Sequence, residues 1–461
     1  MNFDHFFAAS RDKTVTAGLV GAGQFGASLI NQAQHMPLLD VPFLCDLDLA
    51  LAKKAFLDAG VAEEDIFIAE SASEARRAIE QGKKIITEDY RLICDLPADI
   101  IVEATGQPEA AASIAYLALT NGYHVAMVTK EADIVVGPYL SRIAAQAGRF
   151  ITPVDGDQPS LLIGLMSWAK LLGLDILAAG KSSEYDFIYH PDKEVVSWRG
   201  HEKHLPGFSD IWAMGGDMPA CLAARAEMLA GFPQRTVPDL CEMGIVCNHT
   251  GLLPDAETFH APHARVGEVA NVFIPQDRGG ILSGKGKVDV FNCLRRADEQ
   301  SFAGGVYVVV DCVGTESWKI LGEKGIPMSR DGKAGLLYNP SHLLGVEAPV
   351  SLLSTVLLGK PSGATELAHH VDLHARTTRA WKKGEVLAIT DHHHHEVDGL
   401  EPLLRKATLA NKDAPLPYYM AAGQQLACDV PAGKLITREM IIEPSNSTLF
   451  RLRDEMDGQI G

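Results

Sequence analysis

Chemistry first suggests itself at "TPVDGDQPSLLIGL", Thr152 to Leu165, where Asp155 and Asp157 flank a glycine ahead of a proline and an apolar helical run. Carboxylates in that setting can cap the helix, because Asp accepts hydrogen bonds from first-turn N–H groups. They can also serve as a base, or bind a divalent cation such as Mg or Mn through oxygen. Two other stretches carry complementary groups. "VTKEAD" places Lys130 at the end of an apolar run, and "GKSSEYD" gathers Lys181, Ser182, Ser183, Glu184 and Asp186. A sugar phosphate requires a cation, hydroxyl donors and an acid or base close together, and "GKSSEYD" supplies all three. A salt-bridged edge strand would show the same residues, and Lys130 could equally be a solvated lysine opening a loop. His342, after "NPS" and before an apolar helix, either points its imidazole into a cleft or sits as a cap or core residue.

These groups need elements to position them. Val15 to Val20 reads as a buried strand feeding "GAGQFG", in which Gly21, Gly23 and Gly26 frame Gln24 and Phe25, and a helical pattern follows. In that context Gly21 makes the tight turn, Gly23 lets the backbone approach a pyrophosphate, and Gly26 allows close helix packing, while the helix N-terminus favours the anion. One helix later, "VPFLCDLD" ends in Asp46, near the position of a ribose-binding acid. A carboxylate there favours the free hydroxyls of NAD and repels the 2′-phosphate of NADP, unless Lys53 or Lys54 offsets it. "ADIIVEATG" is a further strand ending at Thr105 and Gly106, followed by a helix and the strand "YHVAMVTK". Such alternation builds a doubly wound parallel sheet of the Rossmann type, with ligands at the carboxyl ends of its strands, where Lys130, Thr105 and Gly106 stand.

With 461 residues and 47% hydrophobic content, the chain is expected to divide into domains. The expected division is a dinucleotide-binding domain over 1–158, a mixed-sheet catalytic and oligomerisation domain over 159–360, and a small β-rich domain over 361–461. The fold class is therefore α/β. A formal net charge of −18 without long like-charge blocks argues against nucleic acid or an anionic membrane as partner. Eight cysteines without CxxC spacing read as free thiols. No secretory signal and no membrane-spanning run is evident, so a cytoplasmic location is expected. Trp212 in "SDIWAMGGDMPACLAARAEM" could ride a glycine-hinged lid over substrate or simply pack. "DHHHHEVDG" offers His392 to His395, whose consecutive side chains diverge too much to face one ion readily.

"GLVGAGQFG", "VEATG", "VAMVTKEAD", "PVDGDQPSLL" and "AAGKSSEYD" together resemble the homoserine-dehydrogenase-like oxidoreductases, and "KKGEVL" and "VPAGKLIT" resemble their appended SAF-type domain. Length and layout are most similar to the 1-deoxyxylulose 5-phosphate reductoisomerase-like proteins. The resemblance implies an NADPH-dependent reductoisomerase of isoprenoid biosynthesis, acting on a sugar phosphate as a homodimer. Under it, Lys130 and Lys181 are cations near substrate oxygens, and Asp155 or Asp157 is a base or metal ligand. Glu184 is their partner, while Ser182, Ser183 and His342 fix hydroxyls or phosphate. "GGDMPACLAARAEM" offers Asp217 and Arg225 but not the lysine that homoserine dehydrogenases are expected to carry there. The alternatives are a related dehydrogenase of a hydroxy acid or homoserine-like substrate, and a non-catalytic dinucleotide sensor.

Overall fold

Three sheets organise the chain in the computed structural model, which describes residues 2–364, 367–391, 395–409 and 413–460. The first has seven strands: β1 (Val15–Val20), β2 (Leu39–Cys45), β3 (Ile66–Ile68), β4 (Lys84–Thr87), β5 (Ile100–Glu103), β6 (His124–Met127) and β7 (Ile151–Pro153). Their order is β3-β4-β2-β1-β5-β6-β7 and every pairing is parallel. Parallel strands are covered on both faces, which is why "VTAGLV" and "IIVE" are apolar almost throughout. The order reverses between β1 and β5, and the crevice beside that switch is where doubly wound sheets bind ligands.

The second sheet is mixed. Its spine is β8 (Ile176–His190), flanked by β9 (Val195–Trp198) and β10 (His201–His204). The short strands β11 (Leu253–Pro254) and β12 (His263–Ala264) pair with β13 (Lys287–Arg296), and β14 (Val306–Asp311) pairs with β15 (Ala334–Asn339). β13 runs parallel to β8 and β14 antiparallel to it. The first eight residues of β8, through Ser183, are buried, whereas from Glu184 burial alternates with the strand's period of two. "GKSSEYD" therefore lies at the centre of the sheet and not at its edge, with Lys181 between Val290 of β13 and Val306 of β14. The helices Gln158–Leu171 and Val237–Thr250 pack on one face of this sheet.

The third sheet is the antiparallel pair β16 (Val371–Thr377) and β17 (Leu400–Lys406), extended by single bridges such as Arg376 to Leu435. The terminal helix Thr448–Ile460 docks this unit onto the helices Pro108–Thr120 and Lys130–Gln146. Its first turn is capped from outside, because the Glu109 carboxylate accepts from the N–H groups of Thr448 (2.6 Å) and Leu449 (3.2 Å). Among the described residues no helix is long and apolar enough to cross a membrane.

Trp212 is not a lid. It is 7% exposed, its ring 5.1 Å from that of Tyr189, with the Arg265 guanidinium 4.8 Å above it. Arg225 is buried beneath, paired with Glu268 at 2.7 Å, and Asp217 caps its own helix through Ala220 N–H. His392–His394 lie outside the described residues; His395 is buried, 3.7 Å from Glu131.

Candidate active site

The glycine turn after β1 has the shape a dinucleotide requires. Gly21 has φ +109°, and a Cβ on it would lie 2.3 Å from the Ala104 carbonyl oxygen at the end of β5. A Cβ on Gly26 would stand 2.1 Å from the Gly21 oxygen, so the helix Gln24–Ala33 reaches the turn only without one. Gly23 faces open space and caps that helix with no side chain, which leaves first-turn N–H groups free, with Gln24 and Phe25 beside them. Across the switch, Gly106 donates its N–H to Thr129 Oγ1 (2.9 Å), and Thr105 donates its hydroxyl to Glu103 (2.6 Å), a fully buried carboxyl whose pKa burial raises against the Thr105 and Thr129 hydrogen bonds. Asp46 accepts from Ala22 N–H (2.7 Å) and Asp48 N–H (2.9 Å) at the lip of the turn. Lys53 and Lys54 do not offset it, since they pair outward with Glu63 and Asp58. These features fit a nicotinamide dinucleotide.

Beside this turn lies a chain of charges. Lys130 begins the helix that follows β6, and its ammonium is 2.6 Å from Glu242 and 3.5 Å from Asp157. Glu242 also pairs with Lys181, which in turn is 3.0 Å from Asp239, and Asp239 accepts from the Ser183 hydroxyl at 2.7 Å. Burial alone would lower the Lys130 pKa, but Asp157 and Glu242 outweigh it and hold the value well above the ordinary lysine range. Lys181 is likewise lowered by burial and raised more by Glu242 and Asp239. Burial pushes Glu242 upward, and the two lysines pull it below its ordinary value. Lys130, Lys181 and Glu242 are thus ionised together. Only one end of the chain meets solvent: the Lys130 side chain is 25% exposed, Asp157 16% and Lys181 0%.

Asp155 and Asp157, neighbours in sequence, have separate duties. Asp157 is the N-cap of the 158–171 helix, accepting from Gln158 N–H at 2.9 Å, and it also faces Lys130. Asp155 turns away into a nest of hydroxyls, accepting from Ser160 (2.6 Å), Ser351 (3.0 Å) and Ser362 (3.2 Å). That arrangement ties the turn to the helix Ala348–Leu358, a fastening rather than the base expected of it. The two carboxylates share no partner, and among the described residues no three His, Cys, Asp or Glu are grouped to hold a metal ion. The pair does not fit the divalent cation expected from sequence. Glu184, expected to partner Lys181, lies on the other side of β8 and meets Arg199 at 3.4 Å instead. Ser182 is buried, with its hydroxyl on the Ser183 carbonyl (3.1 Å).

Residues 21–151 match the NAD binding domain of homoserine dehydrogenase, and residues 156–348 match the family described as Oxidoreductase DRL, catalytic domain. The chain is an NAD(P)-dependent oxidoreductase. No curated protein matches it. Among solved structures the oxidoreductase is similar to a probable dehydrogenase from Thermotoga maritima at 10% identity, over 75% of this chain and 90% of that one (TM-score 0.37). It is also similar to myo-inositol dehydrogenase from Lactobacillus casei in complex with NAD(H) and myo-inositol at 14% identity, over 38% and 48% (TM-score 0.28). A third is 1-deoxy-D-xylulose 5-phosphate reductoisomerase from Zymomonas mobilis in complex with NADPH at 15% identity, over 37% and 46% (TM-score 0.28). None is alike enough to carry a substrate across.

Sequence reasoning missed Asp239 and Glu242 of the oxidoreductase. Their signal was present: in "VPDLCEMGIVCN" two acids three apart share one face of a helix that is otherwise apolar and buried.

Proposed function

We propose that this oxidoreductase converts 1-deoxyxylulose 5-phosphate to methylerythritol 4-phosphate at the expense of NADPH. The carrying observation is Lys130, a fixed and partly exposed ammonium at the carboxyl ends of the parallel strands, in a chain whose following segment matches an oxidoreductase catalytic domain. Its raised pKa keeps it charged through neutral pH. Rearranging a ketose phosphate passes through enediolate-like charge on substrate oxygens, and a preorganised cation lowers that barrier. Glu242 aims the ammonium, Lys181 keeps Glu242 ionised from behind, and Asp157 at the rim accepts a substrate hydroxyl. Gly21, Gly23, Gln24, Phe25, Gly26, Asp46, Thr105 and Gly106 would hold the dinucleotide, which supplies hydride to the new aldehyde when bound. Turnover of 1-deoxyxylulose 5-phosphate with each reduced nucleotide, followed by product analysis, tests the reading. A branched phosphorylated polyol supports it; an unrearranged alcohol, or no oxidation of either nucleotide, overturns it.

A second reading has its own support in charge. At the site, the ammoniums of Lys130 and Lys181 face the carboxylates of Asp157, Glu242 and Asp239, which does not favour a phosphate beside them. Asp46, with Lys53 and Lys54 engaged elsewhere, favours NAD(H) over NADP(H). Both features suit a dehydrogenase of a homoserine-like substrate, whose ammonium and carboxylate match a site of mixed charge, by hydride transfer without rearrangement. The same assay separates the two by nucleotide and by carbon skeleton.

A further inference from the structure

Hydride transfer to or from a C–O carbon moves a proton as well, and the ion chain around Lys130 is poorly suited to carry it. Lys130 and Lys181 are held charged and Glu242 is held ionised, so these groups supply a fixed field near neutral pH. Glu131, next to Lys130, is pushed up to about 7 by burial, but it is buried and faces His395 at 3.7 Å, so the group that exchanges a proton with substrate comes from another element.

The 341–347 segment provides one. It is pinned at three points. Leu344 donates its N–H to the Gly156 carbonyl (3.1 Å), and a Cβ on Gly156 would come within 1.8 Å of the Leu344 oxygen. Leu344 itself has φ +53°, a left-handed backbone that a leucine adopts only under constraint. A Cβ on Gly345 would lie 2.3 Å from the Phe25 carbonyl and 2.4 Å from Ser28 Oγ, so the segment is pressed against the helix that begins at the dinucleotide turn. It spans from the cofactor helix to the turn bearing Asp157.

His342 stands on this span, half-buried, with Nδ1 3.1 Å from the Gly304 carbonyl oxygen. A carbonyl only accepts, so Nδ1 carries the hydrogen and Nε2 of the neutral ring is left with its lone pair. The seat is shaped for the ring: Gly304 has φ +76°, and a Cβ there would come 2.6 Å from His342 Cε1 and 3.1 Å from the Gln158 amide nitrogen. On its own segment Glu347 accepts from Leu343 N–H at 2.9 Å, and Gln158, which shares the Gly304 seat, directly follows Asp157, the partner of Lys130.

We propose that His342 is a catalytic residue of this oxidoreductase, its Nε2 exchanging the proton of the substrate hydroxyl at the carbon that exchanges hydride with the nicotinamide. In the oxidative direction the O–H proton passes to Nε2 as the C–H hydride leaves for the oxidised dinucleotide; the alcohol becomes a carbonyl, the dinucleotide is reduced, and the imidazolium holds the proton. Reduction reverses each transfer. The assignment rests on the oxidoreductase reading but not on the identity of the substrate.

The test has two arms on the full chain. Histidine-selective 15N NMR of the wild type, compared with His342→Asn to assign the resonance, is expected to show Nδ1–H and bare Nε2 at neutral pH, with a shift on saturation by NADH or NADPH. An Nε2–H tautomer, or no response to either saturating nucleotide, overturns the proposal without any turnover measurement. His342→Asn keeps a donor for the Gly304 carbonyl and removes the base. With 1-deoxyxylulose 5-phosphate, it is expected to keep nucleotide affinity within about twofold and to lose ~10²–10⁴-fold in kcat. A variant within about threefold of wild type overturns the proposal. A wild type inactive on that substrate refutes the reductoisomerase reading alone, and the NMR arm still decides on His342.

Discussion

Two buried networks of opposite charges, one around Lys130 and one around Arg453, separate by their contrast a site from a fastener. Around Lys130, Glu242, Lys181 and Asp239 the ions lie between two sheets, and one end opens to solvent through Lys130 and Asp157. Around Arg453 the network is closed. The guanidinium pairs with both oxygens of Asp372 (2.7 and 2.9 Å), with Asp457 (2.9 Å) and with the Val135 and Thr408 carbonyls, and Arg453 is 1% exposed. Burying charges is costly in either place, and good geometry with full hydrogen bonding can offset that cost. In the C-terminal unit the result is mechanical, because Arg453 binds the terminal helix and β16 to the helix after β6. At the site the same physics leaves one ammonium addressable by a substrate. A buried ion network is thus a functional candidate where it surfaces into a cleft.

Four experiments sharpen or break the contrast. Arg453→Met leaves Asp372 without its main countercharge and is expected to lower unfolding free energy by about 3–5 kcal/mol in denaturant titrations, while turnover per folded molecule stays near wild type. If turnover falls with stability barely changed, the closed network is no fastener. Lys130→Met should act in the opposite way, lowering kcat by ~10²–10³-fold with nucleotide binding retained. A comparable loss of nucleotide affinity in a titration would remove it from the substrate side.

Acid should strike the C-terminal unit first through a histidine. His374 on β16 is 1% exposed with neither ring nitrogen partnered, and burial, with smaller opposition from Asp372, lowers its pKa from 6.5 to about 4. The folded pKa lies below the unfolded one, so the stability this neutral ring contributes is complete above about pH 6.5 and is lost as pH falls through about 4. Melting temperature against pH should decline across that window, and His374→Leu should flatten the decline by up to ~3 kcal/mol. An unchanged slope would sink the assignment. The smallest effect is expected at Asp46: Asp46→Ser should shift the ratio of NADH to NADPH affinity toward NADPH by about tenfold, near 1.4 kcal/mol, as read by fluorescence titration.

Much of the frame was legible along the chain. The seven-stranded sheet follows from apolar runs that alternate with helical periodicity, and Gly21 and Gly26 declare the dinucleotide turn because glycine alone tolerates their backbone contacts, while Gly23 leaves its side open. The site was legible in half. Lys130 and Asp157 follow strand ends, where topology already places ligands, and both keep part of their side chains exposed. Asp155 looked identical to Asp157, yet Ser351 and Ser362 had to arrive from some two hundred residues away to claim it. "GKSSEYD" read as a reactive strand, but its alternation sends Lys181 and Ser183 toward the 237–250 helix and Glu184 to the other side with Arg199.

Residue type and spacing by themselves determined the local elements, the parallel sheet and the class of cofactor, because periodicity and glycine sterics act between near neighbours. Only the tertiary structure decided which charges meet. Ion pairing falls off within a few ångströms, and Lys130 meets Glu242 only after the two sheets have docked, while His342 reaches the Gly304 carbonyl only once β14 and β15, distant in sequence, have paired.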